Sequence, residues 1–181
     1  MILINIMIFF FTYSFLGWLL ESAYKTWQEK ELVNSGFLTG PLCPIYGAGG
    51  LLISLIHVSS SQYLGYGPLS ILIQLVIAVL VTSLLELITG DIMQRVFNKR
   101  WWDYSQEKFN VKGHICLRFS LIWGILALGF IQIIHPLTSQ AILEASSLYK
   151  ESFVVMATLC FTIDLINSLR KNNIKKFMII K

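Results

Sequence analysis

Residues 69–90 read LSILIQLVIAVLVTSLLELITG, an apolar run whose only ionisable side chain is Glu86. A helix needs roughly 20 mostly apolar residues to cross the hydrocarbon of a bilayer, and this run supplies them. A carboxylate in that setting is costly unless it is paired, protonated or turned to water. The Leu84-Leu85-Glu86 triplet near the end of this run has a counterpart, Leu19-Leu20-Glu21, at the end of the first apolar run. These two acids decide both the fold class and the place to look for chemistry.

The rest of the chain has the same character. It has 181 residues, 55% hydrophobic and 13% charged, with a mean hydropathy of +0.67. A soluble domain carries about 25% charged residues. Charge is also missing in blocks: none precedes Glu21, none lies between Glu31 and Glu86, and none lies between Arg118 and Glu144. A soluble core would need charged helix faces, which these blocks lack. The expected fold is therefore all-α and polytopic, a single transmembrane domain over residues 1–181. About five spans are expected, near residues 2–24, 42–59, 69–93, 115–135 and 151–170. The fifth is interrupted by Asp164 and is followed by a basic tail over 170–181. The first run lacks a basic leader region and a small-x-small cleavage site, so it is read as a retained helix.

The basic residues fix the expected orientation. All of the 14 except Lys150 fall on one side of these spans, and the positive-inside rule makes that side cytoplasmic. The N-terminus is then outside and the C-terminus inside, in the cytoplasmic membrane of a bacterium. Residues 59–68 read as an outer turn rich in Ser and Gly, and the connection over 136–150 is outside and partly helical. The net charge of +4 is explained by these loop positions, so no nucleic-acid partner is expected.

The repeated triplet extends into a wider match. Gly40-Pro41-Leu42-Cys43 follows the first, and Gly113-His114-Ile115-Cys116 follows the second. Both glutamates lie roughly 17–19 residues from the outer start of their spans, about 26–28 Å down and near the cytoplasmic face. A duplicated helix pair is expected, with units 1–60 and 68–135 and a pseudo-twofold axis along the membrane normal.

Glu21, Glu86, Asp91 and Asp164 all fall in the inner half of the membrane or at its edge. They can line a cytoplasm-facing cavity for a cation, or pair with Lys25, Arg95, Arg118 or Arg170 to fix the helices. For Asp91 and Asp164 the pairing is favoured, because basic residues follow closely. Arg118 lies about one turn inside span four, within reach of Glu21 or Glu86. Glu21, Glu86 and Arg118 are the candidate substrate-binding residues. The inner loop carries Trp102-Asp103-Tyr104-Ser105 and Asn110. Its aromatics suit an anchoring belt or a surface gripped by a cytoplasmic partner, and Asp103 and Asn110 can cap its turns. Trp102, Asp103, Tyr104 and Asn110 form the candidate partner-docking loop.

Cys43, Cys116 and Cys160 form no CxxC pair, and His57, His114 and His135 share no spacing. No metal, cofactor or catalytic residue is expected. No phosphate-cradling Gly-rich loop is present, so the chain is not itself an ATPase.

Together these pieces resemble a family of small bacterial membrane proteins labelled "putative ABC-transporter type IV". The resemblance rests on Phe15-Leu16-Gly17-Trp18 with Glu21, and on Gly36-Phe37-Leu38-Thr39-Gly40-Pro41 with Pro44-Ile45-Tyr46-Gly47. It also rests on Trp102-Asp103-Tyr104-Ser105 with Phe109-Asn110, Gly113, Ile115-Cys116 and Trp123-Gly124. These cover roughly residues 10–130 and leave the last span outside. The resemblance implies a membrane component of transport, a permease or substrate-capturing subunit. Its expected surroundings are the lipid bilayer, an ATPase or other membrane subunit, and further copies of itself. Two alternatives stand beside it: an intramembrane enzyme acting on a lipid or headgroup, and a non-catalytic scaffold or regulator.

Overall fold

A computed structural model describes residues 1–65 and 67–179 of the chain. The long helices are α1 (Ile2–Glu29), α2 (Pro44–Leu64) and α3 (Pro68–Phe97). A short antiparallel hairpin follows, β1 (Asn110–Val111) and β2 (Ile115–Cys116), with Asn110 opposite Cys116. Next come α4 (Leu117–Gly129), a π-helical turn over Phe130–Ile134 and α5 (His135–Glu144). The chain closes with α6 (Ser147–Ile179). The backbone stays helical from α4 through α5, so the three form one rod.

Four helices are long and apolar enough to cross a membrane: Ile2–Glu29, Pro68–Phe97, Leu117–Glu144 and Ser147–Asn172. The protein is an all-α membrane protein, as its sequence predicts. Helix α2 is the least apolar of the expected spans, because Gly47, Gly49, Gly50, Ser54 and His57 dilute it. It is also the most enclosed, with α1, α3 and the π turn all packed on it. The faces packed on other helices can carry small and polar residues, while Leu52, Leu55 and Val58 stay exposed. Pro44 stands at its first turn, where the missing N–H costs nothing.

Sequential helices pack side by side, α1 on α2, α2 on α3 and α3 on α4, while α6 returns against α1 and α3. One apolar cluster joins Ile53, Ala78, Ala127 and Ile131 across α2, α3, α4 and the π turn. A second joins Ile8, Ile142 and Val154 across α1, α5 and α6. The α1–α2 seam is unusually close. A Cβ on Gly17 would overlap the Tyr46 ring, and one on Gly47 would overlap Ser14.

Three details differ from the sequence reading. The Ser-rich segment over 59–68 is not all turn. Helix α2 continues to Leu64, and the Ser60 hydroxyl is accommodated within it by returning to the Ile56 carbonyl one turn back. The helix ends at Gly65, at φ +67°, and the next one starts at Pro68. The connection over 31–43 is not a simple loop. It doubles back along α1 through Val33 N to Thr26 Oγ1 (3.1 Å), Ser35 N to Ser22 Oγ (3.1 Å) and Trp18 Nε1 to Asn34 Oδ1 (2.6 Å). Asp164, expected beside basic residues, instead grips this segment. Its Oδ1 accepts from Thr39 N (3.1 Å) and from the Thr39 hydroxyl, and its Oδ2 accepts from Gly40 N (2.8 Å). Backbone donors stabilise a carboxylate as well as a lysine does, without a second charge to desolvate.

Candidate functional site

The end of the bundle that carries most of the basic residues gathers both glutamates. Leu19, Leu20 and Leu84 point outward and are about half exposed, as lipid-facing side chains should be. The helix period then turns Glu21 and Glu86 toward neighbouring helices. Glu21 is bound by Lys25, one turn on in α1, at 2.7 Å. The Cys43 thiol, at the head of α2, stands 3.9 Å from its other oxygen, and Tyr46 reaches the same carboxylate.

Glu86 has a different setting. It is only 7% exposed. Its Oε1 accepts from the Tyr104 hydroxyl at 3.0 Å. Its Oε2 is fully buried and has no hydrogen-bond partner among the described residues, although the Trp123 indole stands beside the carboxylate. Glu86 makes no ion pair among the described residues. The negative charge of Glu21 acts on it across the α1–α3 gap, and Tyr46 and Trp123 meet edge to face between them at 5.6 Å. A buried acid with one bare oxygen and no cation is an unfinished arrangement.

The loop over 98–116 folds onto this site. Trp102 turns inward and donates from Nε1 to the His114 carbonyl at 2.8 Å. Tyr104 stacks on Phe119, with centroids 4.5 Å apart, and aims its hydroxyl at Glu86. Burial and the adjacent Glu86 charge push the Tyr104 hydroxyl well above the ordinary phenol range, so it stays a donor. Asp103 caps the turn through Ser105 N (2.9 Å) and pairs with Arg100 (2.9 Å). The Ser105 hydrogen bonds and then Arg100 hold its carboxyl below the usual range. Asn110 accepts from Gly113 N at 3.1 Å and donates to the Glu107 carbonyl at 2.8 Å. These four side chains therefore build the loop; Phe109, 78% exposed at a positive φ of 55°, is what it shows outward.

Arg118 does not join the glutamates. Its guanidinium pairs with Glu107 of the loop at 3.1 Å and lies over the Phe119 ring. Asp91 pairs with Arg95 at 2.8 Å.

A second polar group escaped the sequence reading. His57 Nδ1 meets Gln74 Oε1 at 2.9 Å, and Gln74 Nε2 donates to Ser70 Oγ at 3.0 Å. His135 Nδ1 meets the Tyr13 hydroxyl at 2.7 Å and Ser54 Oγ at 3.1 Å. The two imidazoles are 6.4 Å apart, at the other end of the bundle from Glu86. His57 and Gln74 face a cleft of about 270 Å³. No sequence spacing could have shown this, since the residues come from four separate segments. Among the described residues, no three His, Cys, Asp or Glu side chains are placed to hold a metal ion.

Compared with known proteins, the chain matches one family model, described as "Putative ABC-transporter type IV", over residues 8–169. The match runs through Asp164, so the last helix lies inside the family region, contrary to the narrower extent read from the motifs. No curated protein and no solved structure matches.

Proposed function

The chain belongs to the putative ABC-transporter type IV family, and from that premise we propose that it is the membrane component of a transport system. In this reading it is a permease or substrate-capturing subunit whose acidic site lies near the cytoplasmic face. The observation that carries the reading is Glu86, a buried carboxylate with a bare oxygen and no basic partner among the described residues. An uncompensated acid at membrane depth is retained where a cation or proton visits it. Glu21 adds field without adding a free charge, because Lys25 already answers it. Arg118 stands at the loop side of the site, held on Glu107.

The basic end is the cytoplasmic one in this reading, which places the N-terminus outside a bacterial cytoplasmic membrane. The chain acts there as one transmembrane domain with a duplicated helix pair. In support, Cys43 and Cys116, aligned in the two units, are each the buried N-cap of the following helix. Five helices enclose a small pathway, so partner subunits complete it, an ATPase or further copies. The loop over 98–116 offers Phe109, flanked by Lys108 and Lys112, as the docking edge.

The test is flux or solute binding by Glu86→Gln, with folding followed by thermal unfolding. Lost flux with an unchanged melting temperature supports the reading. Unchanged flux with a lowered melting temperature replaces it with a scaffold, in which the acid serves helix packing. Phe109→Ala should release a co-purifying ATPase while leaving the melting temperature unchanged.

A further inference from the structure

We propose that the solute taken by the Glu86 site is a protonated organic amine, held by an N–H to Oε2 with its carbon body against Trp123, Tyr46 and Tyr104. This rests on the transport reading above and names its substrate class. Three observations carry it. The first is the bare oxygen: Glu86 Oε2 is buried and lacks a donor among the described residues, while Oε1 has Tyr104. A ligand that completes the site must bring a hydrogen-bond donor as well as a positive charge.

The second is the nature of the shell. Tyr46 and Trp123 lie edge to face at 5.6 Å, and Tyr104 stacks on Phe119 at 4.5 Å. Aromatic faces attract ammonium groups and pack against methylenes, Trp most strongly. They do not replace the water shell of a hard metal cation, which asks for six or more oxygens. The third is the charge balance. Lys25 occupies Glu21 at 2.7 Å, so Glu86 is the acid of the pair without a cation among the described residues, and a monovalent cation matches it once it is ionised.

A wholly quaternary ammonium would satisfy the charge and the rings but not Oε2. A potassium ion would satisfy the charge alone. The class is therefore a primary or secondary ammonium carrying an apolar or aromatic body.

The experiment is isothermal titration of the full-length protein in detergent with n-butylammonium, tetramethylammonium and potassium chlorides at one ionic strength. The expected order is n-butylammonium tightest, tetramethylammonium weaker, and potassium weakest by about tenfold or more. Glu86→Gln should abolish n-butylammonium binding. Trp123→Leu should weaken it several-fold, with Trp123→Phe in between, and this series keeps the test valid if Glu86→Gln fails to fold. Equal affinity for n-butylammonium and tetramethylammonium overturns the N–H contact and with it the proposal. Tightest binding of potassium, lost in Glu86→Gln, overturns the amine class and leaves the acidic site standing. Cation binding that ignores Glu86 overturns both.

Discussion

Glu21 and Glu86 close the same Leu-Leu-Glu triplet, yet one turn further on the chain gives the first a lysine, Lys25, and the second a glycine, Gly90. The lysine makes a 2.7 Å ion pair, and Glu21 is thereby settled within its own helix. The glycine makes room: the His114 imidazole packs where a side chain at position 90 would sit, and a Cβ there would lie 2.7 Å from its Nδ1. That lets the loop over 98–116 close down on α3 and bring Tyr104 to Glu86. The first acid is paired along its own helix; the second is buried by a loop and left without a cation among the described residues. The i to i+4 position is therefore where the two acids part: one has a cation there, the other a glycine.

Several changes can break or sharpen this contrast. The largest effect is expected from Glu86→Gln, which should abolish cation binding or flux. Glu21→Gln should only reduce it, since Lys25 is then left unanswered near the site; titration of both variants checks this, and equal losses would erase the distinction. Next comes Tyr104→Phe, which removes the hydrogen bond to Glu86 Oε1. A bond to a charged group contributes about 1.5–3 kcal/mol, and thermal unfolding in detergent should show a loss of that order. Gly90→Ala should cost about 1–3 kcal/mol by overpacking against His114, whereas Lys25→Ala in the matching position should cost less than about 1 kcal/mol, because that pair is partly exposed.

The smallest effect concerns pH. Burial, and then the Arg100 charge, hold the His114 imidazole below its ordinary value of 6.5. The folded loop therefore binds the proton more weakly than the unfolded chain does. The contribution to stability is complete above pH 6.5 and declines as the pH falls below it. Between pH 7.5 and 5.5 the native protein should lose more melting temperature, or gain less, than His114→Asn does, and equal pH responses of the two would refute this contribution.

Much of this could be read in the sequence, and the parts that could not have a common cause. The charge-free blocks revealed the helices because membrane crossing depends on summed apolarity, which a linear reading captures. Glu21 and Glu86 stood out because an acid in such a block has few explanations. Arg118 was misleading, since depth along a helix does not say which way a long side chain swings, and Glu107 lay within its reach. Asp164 offered no clue, because beside the Thr39 hydroxyl it binds the amides of Thr39 and Gly40, which almost any residue could supply, in a segment 125 residues away. The His57 and His135 cluster was equally silent. Its members meet only once α1, α2, α3 and α5 are packed. Tertiary contacts between distant segments are what one sequence withholds.

The grip of Asp164 on Thr39 and Gly40 also bears on how the chain is made. A ribosome delivers α1 and the segment over 31–43 well before Asp164. Until α6 enters the bilayer, the Thr39 and Gly40 amides lack their carboxylate, and the segment that leads into Tyr46 rests on its bonds to Trp18, Ser22 and Thr26. The latch on the entry to α2 is thus closed by a side chain 125 residues further along the chain.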